Sequence, residues 1–116
     1  MTRIGDDSLA WSALEQQVAT RPAQDFVRFR DGRLSYAALA ASAAVLAGRL
    51  RRFGIARGDI VPTFQSNGGP AIVTWFALMR LGAGWAPIHT EFRGEQLVNA
   101  LNLTRAPVLI AEAPFL

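Results

Sequence analysis

Two short stretches of this sequence carry residue types that can do chemistry. Ser66-Asn67-Gly68-Gly69-Pro70 lies between two apolar runs. Glycines between a strand and a helix leave backbone amides free at the helix amino end, where a phosphate can sit. The same residues also make a plain tight turn, with Pro70 at the first helical position. No G-x-G-x-x-G or Walker sequence accompanies them, which favours the turn. His89-Thr90-Glu91 is the second stretch. His and Glu suit an acid–base pair, placed after a strand where open α/β sheets bind ligands. The competing reading has Thr90 capping the next helix, with Glu91 and Glu95 complementing its positive end. A lone His without an orienting partner favours the cap.

The absent residue types narrow the field further. The 116 residues include twelve Arg, no Lys, no Cys and one His. Without Cys there is no disulfide framework, thiol nucleophile or thiolate-held metal. Without Lys there is no P-loop lysine and no Schiff base. One His makes no two-His metal site. No residue stands out as catalytic, cofactor-binding or metal-ligating. Twenty Ala beside an Arg-only basic set read as coding bias toward G and C. The same bias lifts the isoelectric point to about 11. The net charge is only +3, so no nucleic-acid partner follows. Arg49, Arg51, Arg52 and Arg57 could bind phosphate or acidic lipid, but a helix carboxyl end, which attracts positive charge, and solubility explain them better. Trp11, Trp75 and Trp85 read as core or interface residues rather than as base-stacking ones.

These stretches need elements to position them. Ser8 is predicted to cap a helix to about Thr20, with Leu9, Ala13, Leu14 and Val18 on one face. Arg21-Pro22 ends it. Asp25–Arg30 reads as a strand with Val27 and Phe29 on one face. Asp31-Gly32 is a hairpin signal, and Arg33-Leu34-Ser35 is the return strand. Ser35 caps a helix from Tyr36 to about Phe53, with an apolar stripe at Leu39, Ala43, Leu46, Leu50 and Phe53. Gly54 stops it. Asp59–Phe64 reads as a buried strand (Ile60, Val61, Phe64) that Pro62 demotes toward an edge or bulge. The next helix starts at Pro70 and runs to about Leu81, with Ile72, Phe76 and Met79 inward and Val73 and Trp75 widening that face. Trp85–Ile88 is a strand, Glu91 to about Leu103 a helix with Leu97, Leu101 and Val98 inward, and 107–111 a third strand.

The predicted fold class is α/β. A β-hairpin with helices precedes a β-α-β-α-β parallel unit with right-handed crossovers, all in one segment over residues 1–116. A parallel sheet needs cover on both faces. Ending after a strand is expected to leave a face or edge uncovered, open to self-association or to a separate chain. Ile60 to Met79 is uncharged and twenty residues long, but the polar glycine-rich turn at its centre excludes a membrane span. The acidic start, with Asp6 and Asp7, is unlike a secretory signal, and the chain reads as cytoplasmic.

Read as one string, residues 20–111 resemble the adenylate-forming superfamily of AMP-forming acyl-CoA synthetases, luciferases and nonribosomal adenylation domains. Thr20-Arg21-Pro22-Ala23 and Leu34-Ser35-Tyr36-Ala37-Ala38-Leu39 are similar to its "T-P-x-x-P-A…L-T/S-Y-x-E-L" opening. Leu46-Ala47-Gly48-Arg49-Leu50 and Phe53-Gly54-Ile55-Ala56-Arg57-Gly58-Asp59-Ile60-Val61 are similar to "L-A-x-x-L-x-x-x-G-V-x-x-G-D-x-V". Ser66-Asn67-Gly68 and Phe76-Ala77-Leu78-Met79-Arg80-Leu81-Gly82-Ala83 resemble "x-N-G/S-x-x…A-x-L-x-x-G-A". Trp85-Ala86-Pro87-Ile88-His89-Thr90 stands where "x-V-P-L-N-P" is common; Arg93-Gly94-Glu95-Gln96-Leu97 and Val108-Leu109-Ile110-Ala111 follow in order. Thr90-Glu91-Phe92-Arg93-Gly94 looks most like carnitine/crotonobetaine-CoA ligases and fatty-acyl-CoA synthetases. Ala38 in place of Glu removes half of a capping box, and His89-Thr90 replaces Asn-Pro.

The resemblance implies an incomplete piece of an adenylate-forming amino-terminal domain. The parent reaction activates a carboxylic acid with Mg-ATP to an acyl-adenylate and passes the acyl group to CoA. The superfamily's phosphate loop, acidic adenylate motifs and catalytic lysine have no counterpart among these residues. ATP, Mg and CoA therefore belong to the full-length context, and the chain alone is expected to be an inactive scaffold. Two alternatives stand beside it: a non-enzymatic interaction module pairing with a separate chain, and a small nucleotide- or phosphate-binding protein using Gly68-Gly69-Pro70.

Overall fold

A computed structural model describes residues 7–30, 32–105 and 108–112. Its elements are α1 (Asp7–Thr20), β1 (Asp25–Phe29), β2 (Gly32–Ser35), α2 (Tyr36–Arg52), β3 (Ile60–Phe64), α3 (Gly69–Leu81), β4 (Gly84–Pro87), α4 (Gly94–Thr104) and β5 (Ile110–Ala111). β1 and β2 form an antiparallel hairpin. Strands β3, β4 and β5 form a parallel sheet in the order β4-β3-β5. This is the predicted α/β class. Asp31, Pro107 and the Leu9 side chain, each part of an expectation above, lie outside the described residues.

The core is built mainly by α2 and α3 with help from α1. Leu39, Ala43, Ala77 and Leu78 are fully buried. Each buried leucine stabilises the fold by roughly 1.5–3 kcal/mol relative to exposure. Ser35 caps α2 as expected: Ala38 N–H donates to its Oγ at 3.1 Å. At the other end, Gly54 N–H donates to Arg51 O and Ile55 N–H to Leu50 O, the pairing that closes a helix on a left-handed glycine. Gly54 has φ +93°. The chain turns there, so Phe53 leaves the apolar stripe and is exposed, contrary to expectation; Ala47 and Ile55 take its place in the core.

Other expectations need correction for equally local reasons. α1 already includes Asp7, which puts Ser8 inside the helix rather than at its cap. Its buried face is Trp11 and Leu14 with Ala10 and Val18 partly covered, while Ala13 is exposed. Ile60, predicted buried, is about half exposed at the start of β3. Pro62 sits in the central strand, not at an edge. It is tolerated because Thr63 O accepts from Ile88 and Phe64 O from Glu112, so successive residues turn to opposite sides. Pro62 therefore faces the β5 side, where pairing begins only at Thr63. α3 buries Thr74, Ala77, Leu78 and Leu81 as well as the expected Phe76 and Met79, because helices cover it on one side and the sheet on the other.

Candidate functional site

Residues that match the superfamily pattern most closely form the amino-end loops of the sheet. Gly58 (φ +89°) donates its N–H to Gly82 O at 2.9 Å. Asp59 O accepts from Gly84 N–H at 2.7 Å, and Asp59 Oδ2 accepts from Ala56 N–H at 2.8 Å. Gly82 closes α3 in the left-handed conformation, with Ala83 N–H returning to Leu78 O. A Cβ on Gly82 would meet the Arg57 side chain at 3.1 Å. Arg57 thus lies across the carboxyl end of α3, as a cation does beside a helix end. Arg49, Arg51 and Arg52 occupy the exposed last turn of α2, as the helix-end reading expects.

The carboxyl ends of the same strands are open. A cleft of about 970 Å³ lies between the hairpin, the amino end of α3 and β4. Phe29, Leu34, Pro70 and Trp85 line it, with Arg30 and Arg33 of the hairpin on one side and Thr63, Gln65 and Asn67 on another. The hairpin comes close: a Cβ on Gly69 would lie 3.4 Å from the Phe29 ring. Gly68-Gly69-Pro70 does open a helix onto this cleft. Pro70 has no N–H and Ile72 N–H is bonded to Gly68 O, which leaves Gly69 and Ala71 as first-turn donors. Trp85 Nε1 donates to buried Thr63 Oγ1 at 2.8 Å, and Trp75 stacks on Trp85 at 5.5 Å. Trp11 is buried, with the Arg80 guanidinium 4.7 Å from its ring. Two tryptophans therefore pack in the core or cleft wall, and Trp75 is partly exposed.

Gln65 is a site residue that the sequence reading missed. Its Nε2 donates to Thr74 Oγ1 at 3.2 Å, and that hydroxyl donates onward to Pro70 O at 2.9 Å. Its Oε1 is buried without a partner. The only signal in the sequence is a polar residue directly after a buried strand. Glu112 was also missed. Ser66 N–H and Oγ donate to its carboxylate at 2.9 and 3.0 Å across 46 residues of sequence. The strand order reverses at β3, so this bridge spans the crevice between β3 and β5, the place where doubly wound sheets bind ligands.

His89 and Glu91 do not form an acid–base pair. Nδ1 of His89 accepts from the Glu91 backbone N–H at 3.1 Å, and the imidazole stacks on Phe92. Thr90 does not cap α4 either. The helix starts at Gly94, with Arg93 at the cap position making no side-chain cap. Arg93 Nη1 instead donates to Thr90 O and Phe92 O. These bonds hold 89–92 as a turn and delay the helix by three residues. Leu97 and Leu101 are only half-buried on α4, and Val98, expected inward, is exposed. Among the described residues no group of three or more His, Cys, Asp or Glu side chains could hold a metal, and no helix is long and apolar enough to cross a membrane.

The sequence profile of the family described as "AMP-binding enzyme" matches residues 14–115. The chain belongs to that family. Its relatives include the nonribosomal peptide synthetase GRA1 of Gibberella zeae, 29% identical over 83% of this chain and 1% of that protein. Long-chain fatty acid transport protein 2 of Rattus norvegicus is 29% identical over 83% of this chain and 16% of that protein. Among solved structures, the anthranilate CoA ligase AuaEII in complex with anthranoyl-AMP superposes with a TM-score of 0.84. It is 22% identical, over 91% of this chain and 20% of that one. The chain thus spans a small part of the AMP-binding enzymes it matches. Its fold is that of their amino-terminal subdomain, of which it covers a fragment.

Proposed function

We propose that residues 1–116 form the amino-terminal scaffold of an enzyme that activates a carboxylic acid as an acyl-adenylate and passes the acyl group to CoA. The observation that carries this reading is the use made of the family-like residues. Gly58, Asp59, Gly82 and Gly84 direct their polar groups at one another, joining the starts of β3 and β4, and none faces the cleft. None of the described cleft residues is an acid, His or Lys, so none of these serves as a general acid or base near neutral pH. ATP and Mg suit the family's chemistry. The described acidic residues gather into no metal-ligand set, so in this reading other parts of a full-length enzyme hold both, in the cytoplasm where ATP is available.

Purified 116-residue chain is expected to give no ATP–pyrophosphate exchange with a panel of carboxylic acids; clear exchange would overturn the scaffold reading. Substituting residues 14–112 for the matching segment of a CoA ligase should retain exchange and thioester formation. A second reading, amino-acid activation for a carrier protein, is favoured by the peptide-synthetase relatives. Exchange without CoA thioester formation by the full-length protein would select it.

A further inference from the structure

We propose that the end of the molecule where the parallel strands begin is a docking face for an anionic lipid bilayer. β3, β4 and β5 run in parallel, so their starts lie side by side. A crossover helix runs back against its strands, which brings the carboxyl ends of α3 and α4 to that same end. α2 also ends there, because a short connector carries Arg52 to the start of β3. The hydrogen bond from Gly58 N–H to Gly82 O ties that connector to the end of α3. Five exposed arginines are thereby brought to one end: Arg49, Arg51 and Arg52 on α2, Arg57 on the connector and Arg105 closing α4. Asp59, the acid at the start of β3, already accepts from Ala56 N–H.

A helix carboxyl end explains each of these arginines singly. It does not explain the apolar side chains beside them. Phe53 directly follows Arg52 and is 72% exposed, and Leu103 in the last turn of α4 is 84% exposed. Among the described residues these are the two most exposed large apolar side chains. Ile60, half exposed, starts β3 at the same end. Exposed apolar residues among cations fit a bilayer surface: the apolar groups enter the acyl boundary while the guanidinium groups meet lipid phosphates. Leu and Ile have no ring to stack on a base, so this face suits a bilayer better than a nucleic acid. No helix among the described residues is long and apolar enough to cross a membrane, so the contact is peripheral. The cleft opens at the carboxyl ends of the strands, and a bilayer at the opposite end leaves it free.

Co-sedimentation of the 116-residue chain with vesicles tests this face. The chain is expected to pellet with vesicles of phosphatidylserine and phosphatidylcholine in equal parts, and to stay in the supernatant with phosphatidylcholine alone. Arg52→Gln should weaken binding about fivefold, the effect of one cation at an anionic surface. Phe53→Ser should weaken it about tenfold by removing the inserted ring. Arg28→Gln makes the same charge change on the hairpin, at a side chain 80% exposed, and should have no effect. Circular dichroism and urea unfolding check that each variant stays folded. Equal pelleting with both vesicle types overturns the proposal, as does no pelleting with either. Equal weakening by Arg28→Gln and Arg52→Gln would mean attraction by net charge alone, and also overturns it. So does undiminished binding by Phe53→Ser, or preference for a duplex DNA competitor over the vesicles.

Discussion

α3 and α4 are the two crossover helices of one sheet, thirteen and eleven residues long, yet they have opposite surroundings. Six residues of α3 are buried and none of α4. α3 packs against α1, α2 and β4, whereas α4 packs on β3. α3 ends on Gly82 in the left-handed conformation; α4 ends with Arg105 in that conformation, at φ +53°. Right-handed crossovers and the order β4-β3-β5 put the two helices on opposite faces. The contrast teaches that an amphipathic pattern specifies a helix, while the elements available to cover it set what the helix contributes to stability.

Substitutions can break or sharpen that contrast. Leu78→Ala empties a fully buried site on α3 and should cost about 3 kcal/mol in urea unfolding. A cost below that of an exposed substitution would mean α3 is not the centre of the core. Gly82→Ala should cost about 1–2 kcal/mol, because it strains a left-handed residue and crowds Arg57. Repeating it in an Arg57→Ala background separates the two causes, since only the crowding is relieved. Arg105→Gly has the opposite sign, raising stability by about 0.5–1 kcal/mol as it removes the same strain from α4. Leu103→Ser, at a position 84% exposed, should change stability by less than about 0.5 kcal/mol. A larger loss would show that the Leu103 side chain is covered in solution.

Much of the fold was legible because its signals are local. The Ser35 cap, the Gly54 stop, the hairpin and the β-α-β-α-β order all depend on residues within a few positions of one another. The misreadings occur where a competing local bond, a chain reversal or the sheet register overrides a single-residue signal. Phe53 fits the α2 stripe by spacing, but the chain turns away at Gly54 and exposes it. Thr90 is a good capping residue, yet the His89 and Arg93 bonds take that segment into a turn. Pro62 argues against a central strand until the register shows that β5 starts one residue later. The candidate site was less legible. Its glycine turn could be read, but Arg30 and Arg33 reach the cleft only through the hairpin, and Ser66 meets Glu112 only through the sheet.

The sequence by itself determined the class of the chain and its family. Periodicity, caps and turn residues act over one or two turns of backbone, and the collinear motifs are a property of order alone. Absent lysine and cysteine likewise exclude mechanisms without reference to any fold. Only the tertiary structure decided how the polar groups are used. Asp59 O accepts from Gly84 N–H, which ties the start of β3 to that of β4. Gln65 and Gln17 look like ordinary surface amides, but packing buries one oxygen of each without a partner. Such facts depend on which atoms meet across long stretches of chain, and spacing along the chain does not encode those meetings.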